Sequence, residues 1–160
     1  MGVQWFAIVP VCVPVPVPEG VTMFDHEKLD VYKAAIEFII AADDIIEHLP
    51  RGKSYLADQL QRASSSISLN IAEGAGEYST NEKCRFYRMA KRSATECAGI
   101  LDVCKSLKAI SELRYEQSRR LLLRIVSMLI KMAQIANHSG TGTHTGTGTG
   151  TSAIFSEKNL

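Results

Sequence analysis

The chain has 160 residues, 46% of them apolar and 22% charged, which suits one ordinary domain with a core and excludes a wholly disordered polyanion or polycation. Its formal net charge of +1 hides an asymmetry. From Phe24 to Ser79 there are five Lys/Arg against ten Asp/Glu, and from Thr80 to Asn137 there are twelve against five. The second half is therefore basic enough to attract a polyanion although the whole molecule is nearly neutral.

Residues 2–18 are apolar but carry Pro10, Pro14, Pro16 and Pro18, and alternating Val-Pro removes backbone donors and favours an extended chain over a helix. No Lys or Arg precedes Lys28, so the charged start of a signal peptide is missing, and no unbroken apolar helix of about 20 residues is available to span a membrane. Residues 1–23 read as a disordered extension, 24–138 as the folded domain, and 139–160, which opens on a Gly-Thr repeat, as a second disordered tail.

Between the tails the apolar residues step by three and four, the period of a helix with one buried stripe. The first helix runs from about Asp30 to His48 with Val31, Ala35, Phe38, Ala42, Ile45 and Leu49 inward. Asp30 is placed to cap it and Pro50-Arg-Gly-Lys to end it. The second runs from about Tyr55 to Gly74, with Ser54 as cap and Leu56, Leu60, Ala63, Ile67, Asn70 and Gly74 inward. Its serines lower helix propensity, so it needs tertiary support. Gly74-Ala-Gly76 reads as a left-handed helix stop.

Ser79-Thr-Asn-Glu82 has the pattern of a capping box for the third helix, which carries Tyr87, Ala90, Ala94, Cys97, Leu101 and Cys104 inward to about Lys108. Ser111 is placed to cap the fourth, where Tyr115, Ser118, Leu122, Ile125, Leu129, Met132 and Ala136 repeat the stripe. Short connections between long helices predict an all-α, antiparallel up-down-up-down four-helix bundle.

Catalytic and metal signatures are not found. A di-metal bundle needs Glu-x-x-His pairs, of which there are none, and Asp43, Asp44, Glu47 and His48 cluster at a helix C-terminus, where acids are usually just solvated. No His falls in the bundle interior to activate a serine, and no glycine-rich phosphate loop is present. Cys97 and Cys104 lie two turns apart, about 10 Å along one helix, too far for a disulfide, and no Cys/His cluster offers a zinc site. The expectation is no enzyme and no cofactor, with reduced, buried thiols in a cytoplasmic protein.

Two surfaces invite a function. Arg85, Arg88 and Arg92 fall opposite the buried stripe of the third helix, and Arg120, Arg124 and Lys131 opposite that of the fourth. These six are candidate phosphate contacts, with a merely solvated basic face as the alternative. Few aromatics accompany them, so backbone contact is expected rather than base stacking. Leu123, Val126 and Ile130 form a second apolar ridge on the fourth helix, which points to a contact with a neighbouring subunit.

Two blocks of sequence resemble a known family. Gln59-Leu-Gln-Arg-Ala63 followed by Ser66-Ile-Ser-Leu-Asn-Ile-Ala-Glu-Gly74, and Arg85-Phe-Tyr-Arg-Met-Ala-Lys-Arg-Ser93 with Glu96, are similar to the helix signatures of the four-helix-bundle proteins encoded in intervening sequences of bacterial 23S rRNA genes. The similarity runs from about Lys28 to Ala133. It departs at Ser68, where the family usually has Pro, which leaves a kink in the second helix open, and at Arg92, where the family usually has Gly.

The resemblance implies a homo-pentamer without enzyme activity. It extends to the accessory protein of diversity-generating retroelements, which acts with a reverse transcriptase and nucleic acid. The partners the resemblance implies are thus a second copy of the chain, RNA or DNA, and such a reverse transcriptase. Inward polar groups need partners, so the signature residues Arg62, Asn70, Glu73, Ser93 and Glu96 are expected to join the second and third helices by hydrogen bonds. The rival expectation is a protein-interaction scaffold that binds no nucleic acid.

Overall fold

The computed structural model describes residues 23–139, with side chains to Ile135. A single 3-10 turn at Asp25–Lys28 leads into four helices: α1 (Asp30–Glu47), α2 (Ser54–Gly76), α3 (Thr80–Ser106) and α4 (Glu112–Ser139). The expectations for the two tails lie outside the described residues, apart from Met23 and Ser139.

Each helix packs on its neighbour in sequence, and α1 also packs on α4, which closes a four-cornered bundle without diagonal contacts between the described helices. Residues near the start of α3 meet the end of α4 at Cys84 and Ala133, and residues near the end of α3 meet the start of α4 at Asp102 and Tyr115. Ser66 of α2 faces Ser93 of α3 while Gly74 faces Tyr87, and Asp44 and Glu37 of α1 face Arg114 and Arg124 of α4. In each of these three pairs residue numbers rise along one helix as they fall along the other, so the helices run antiparallel; the six-residue α1–α2 connection forces the same on the fourth pair.

The periodic residues form the core. Val31, Phe38, Ile45, Leu60, Ile67, Leu101, Ile125 and Leu129 are each at most 2% exposed. Every stripe residue named above is buried, except Leu49 and Met132, which are half-buried against the core, and Ala136, which lies beyond the described side chains. The core is wider than one stripe, because Ala34, Ser64, Ser68, Ile71, Cys84 and Ile100 are buried too.

Helix starts differ from the expected caps. Leu29, not Asp30, precedes α1, and Asp30 instead pairs with Lys33 in the first turn. Ser54 is the first residue of α2 and gives no cap bond. Ser79 stands at the N-cap of α3 but makes no side-chain bond there, and the Glu82 carboxylate turns along the helix to Arg85 at 3.0 Å rather than back to the cap. Only Ser111 caps as expected, its Oγ accepting from the Arg114 amide at 3.3 Å.

The stops are also specific. Pro50 to Lys53 closes a turn by a 3.2 Å backbone bond with Gly52 at φ +90°, a conformation that suits glycine. At the end of α3 the Ala109 amide reaches the Cys104 carbonyl and the Lys108 amide reaches Lys105, with Lys108 at φ 52°. That is a Schellman stop built without glycine.

Gly74 is no stop. The helix continues to Gly76, and a Cβ at position 74 would lie 2.8 Å from the Tyr87 ring and 3.0 Å from Phe86 Cβ. Glycine here lets two helices approach closely, as its place on the inward stripe suggested, and it does not act as the left-handed helix end.

Candidate nucleic-acid interface

All six candidate phosphate contacts are exposed. They divide by partnership. Arg85 pairs with Glu82 at 3.0 Å, and Arg124 stands 3.7 Å from Glu37 of α1. Arg88, Arg92, Arg120 and Lys131 make no hydrogen bond or ion pair among the described residues. Their positive charge is available to a polyanion, whereas Arg85 and Arg124 would have to exchange an intramolecular carboxylate for it.

The two groups lie on adjacent sides of the bundle. Arg85 and Arg92 share the outward strip of α3, and Arg88 leans toward α4; Arg120 and Lys131 share the outward strip of α4, and Arg124 leans toward α1. Antiparallel packing puts them at the same stretch of the bundle, since Cys84 of α3 stands beside Ala133 of α4. A ligand touching both groups must follow the curved edge between two helices rather than a flat face.

The expected polar link between α2 and α3 is smaller than anticipated. The Asn70 amide donates to the Ser66 carbonyl at 2.7 Å and to Ser66 Oγ at 3.0 Å, and Ser66 Oγ lies 2.9 Å from Ser93 Oγ. Ser93 donates to the Met89 carbonyl at 3.2 Å, so its proton is spent and Ser66 must be the donor across the seam. Arg62, Glu73 and Glu96 take no part. All three are exposed without hydrogen bond or ion pair among the described residues. Arg62 and Glu73 instead line a shallow trough on the outer side of α2 with Leu69 and Met89.

The apolar ridge of α4 also resolves into parts. Leu123 is 57% exposed and Ile130 38%, while Val126 is half-buried against the core. Leu123 and Val126 form one wall of an open groove whose other wall is Ala94, Thr95 and Ala98 of α3.

Sequence reasoning missed the polar end of the α3–α4 pair. Tyr115 donates its hydroxyl to Asp102 Oδ1 at 2.7 Å, and Arg119 Nη1 donates to the same hydroxyl oxygen at 3.2 Å. Lys105 lies 4.1 Å from the Tyr115 ring centre and pairs with Glu112 at 2.7 Å. The bond to Asp102 is the main reason the Tyr115 phenol titrates above its ordinary value. Asp44, expected to be merely solvated, is held by Arg114 through two bonds of 2.7 and 3.2 Å, which ties α4 to α1. Neither link has a local signature, since the partners stand 13 and 70 residues apart.

Cys84, Cys97 and Cys104 are buried thiols outside any disulfide. Burial, with Glu96 adding to it and a backbone hydrogen bond opposing it, pushes Cys97 up to about 12. No group of three His, Cys, Asp or Glu side chains comes together among the described residues to hold a metal ion. No helix of the described residues is long and apolar enough to cross a membrane.

The bundle is similar to a solved structure from Bacteroides thetaiotaomicron, a protein of unknown function from the S23 ribosomal protein family. The two share 21% identity and a TM-score of 0.61 over 65% of this chain and 98% of that one, a likeness of fold alone. No curated protein matches the chain. Residues 27–131, which contain both signature blocks and the helical stripes as far as Leu129, match the family described as 23S rRNA-intervening sequence protein. The chain belongs to that family.

Proposed function

We propose that the chain is a non-catalytic, self-assembling bundle of the cytoplasm that binds nucleic acid, RNA foremost, through the basic edges of α3 and α4. The observation that carries the reading is that four of the six candidate cations, Arg88, Arg92, Arg120 and Lys131, are exposed without a partner among the described residues. Four such charges on one monomer make a weak site for phosphate. Repetition around an oligomer of about five copies, which family membership suggests, would multiply it through multivalency. Sequence preference should be slight, since arginine on a helix surface with few aromatics meets backbone phosphate more readily than base edges. A reverse transcriptase is a possible further partner by the family resemblance alone.

Fluorescence anisotropy with a short labelled RNA tests this. Affinity should fall with salt by about 0.9 log units per log unit for each duplex phosphate neutralised, and less for single strands. Arg88→Gln with Arg92→Gln should flatten that slope more than Arg85→Gln with Arg124→Gln, because the second pair already faces carboxylates. Absence of wild-type binding at about 50 mM salt overturns the reading.

The second reading is a protein-interaction scaffold, favoured by the apolar α3–α4 groove. On that reading the arginines keep the protein soluble or meet acids of another subunit.

A further inference from the structure

Two exposed apolar features sit on different sides of the monomer, and their flanking charges are opposite. The first is the outer strip of α1. Ile36, Ile40, Asp43 and Glu47 step by four, three and four, so they share one face. Ile40 is 67% exposed and Ile36 38%, and Asp43 and Glu47 are exposed without an ion pair among the described residues. The second is the α3–α4 groove, where small residues on α3 (Ala94, Thr95, Ala98) oppose Leu123 and Val126 of α4. Arg119 lines one end of this groove, already bonded to Tyr115 and 3.7 Å from Asp102. Lys91, exposed and unpaired, stands one turn before Ala94 and Thr95 on α3, and Ile130 continues the apolar wall on α4.

We infer that the α1 strip of one subunit docks in the α3–α4 groove of a second copy, Ile36 and Ile40 against the small residues and Leu123, with Asp43 and Glu47 meeting Lys91. The inference rests on the self-assembly reading above and specifies its faces. Three observations support the choice of occupant. From Ile36 to Glu47 and from Arg119 to Ile130 are both eleven residue steps, about 16 Å of helix, so ridge and groove match in length. A wall of Ala and Thr facing Leu and Val admits a large knob such as Ile40, as in helix packing generally. The charges complement each other, which selects this ridge, with its two unpaired carboxylates, over Leu113, where Lys105 already holds Glu112 and Glu116 alone remains, and over Leu69, which stands between Arg62 and Glu73.

The contact is heterologous: each subunit offers its ridge to one neighbour and its groove to another, so copies add head to tail and must close into a ring or grow open-ended. It also leaves Arg92, Arg120 and Lys131 outside the groove, available to nucleic acid on the assembled particle.

Heterologous contacts make a distinctive test by mixing. Ile40→Glu spoils the ridge and Leu123→Glu spoils the groove; both positions are exposed in the monomer, so circular dichroism should show helix content unchanged. By light scattering on the full chain, wild type should be a multimer and each variant a monomer. An equimolar mixture of the two should give a particle of two chains, the intact groove of one holding the intact ridge of the other. As a second arm, Lys91→Glu and Glu47→Lys should each weaken assembly by about tenfold and together restore it. Variants that stay multimeric, or a mixture that stays monomeric while wild type assembles, overturn the face pairing and leave self-assembly standing. A monomeric wild type removes self-assembly and, with it, the face pairing.

Discussion

The α2–α3 and α3–α4 seams share one helix yet are held together by different chemistry. Along α2–α3 the contacts are small and close: Gly74 under the Tyr87 ring, Ala63 buried, and a single hydroxyl bond from Ser66 to Ser93. Along α3–α4 the upper part is apolar and the lower end is a charged cluster of Asp102, Tyr115 and Arg119. The first seam depends on volume, so it should tolerate almost no added atom. The second depends at its end on exposed polar groups that water can replace, so it should tolerate loss.

Substitutions can break or sharpen this contrast, and urea denaturation measures each. Leu101, 1% exposed in the core behind both seams, sets the scale: Leu101→Ala should cost about 2–5 kcal/mol. A loss under about half a kcal/mol would mean that the core is not packed as described. Gly74→Ala should cost about 1–3 kcal/mol, because its new methyl would meet the Tyr87 ring at 2.8 Å and Phe86 Cβ at 3.0 Å and neither belongs to a free side-chain end. A neutral or stabilising result, as expected for glycine to alanine in an open helix, would show that the seam yields. The smallest effect is expected from Tyr115→Phe, about 0.5–1.5 kcal/mol and toward the lower bound, since Asp102 is exposed and recovers its bond from water.

Much of the bundle was legible in the sequence because a buried stripe at helical spacing is a local signal: residues such as Phe38, Ile67, Leu101 and Ile125 declare their face within two turns. Capping was less so. Ser79 and Glu82 have the right types at the right spacing, but Arg85, one turn further, offers the carboxylate an ion pair that competes with the amide. Gly74 shows the same limit. A glycine near a helix end looks identical in sequence whether it terminates the helix or admits an aromatic ring from the next one. At the candidate site, charge and exposure followed from helical phase, whereas which arginines are spoken for depended on α1 and on tertiary pairing: Arg124 finds Glu37, and Arg114 finds Asp44 across 70 residues.

The three interior thiols supply a built-in gauge of how the bundle breathes. Cys84 stands where α3 begins against the end of α4, Cys97 midway, and Cys104 beside the Schellman stop. A thiol raised to about 12, as at Cys97, cannot react where it sits and is alkylated only when its surroundings admit water. Reaction at each position therefore counts the openings of that level of the bundle. If the helix ends fray independently, Cys84 and Cys104 will be modified before Cys97; if the four helices part only together, all three will react at one rate. The same chain, unlabelled and unmutated, thus reports whether a subunit arriving at the α3–α4 groove quiets one level of the bundle or all of it.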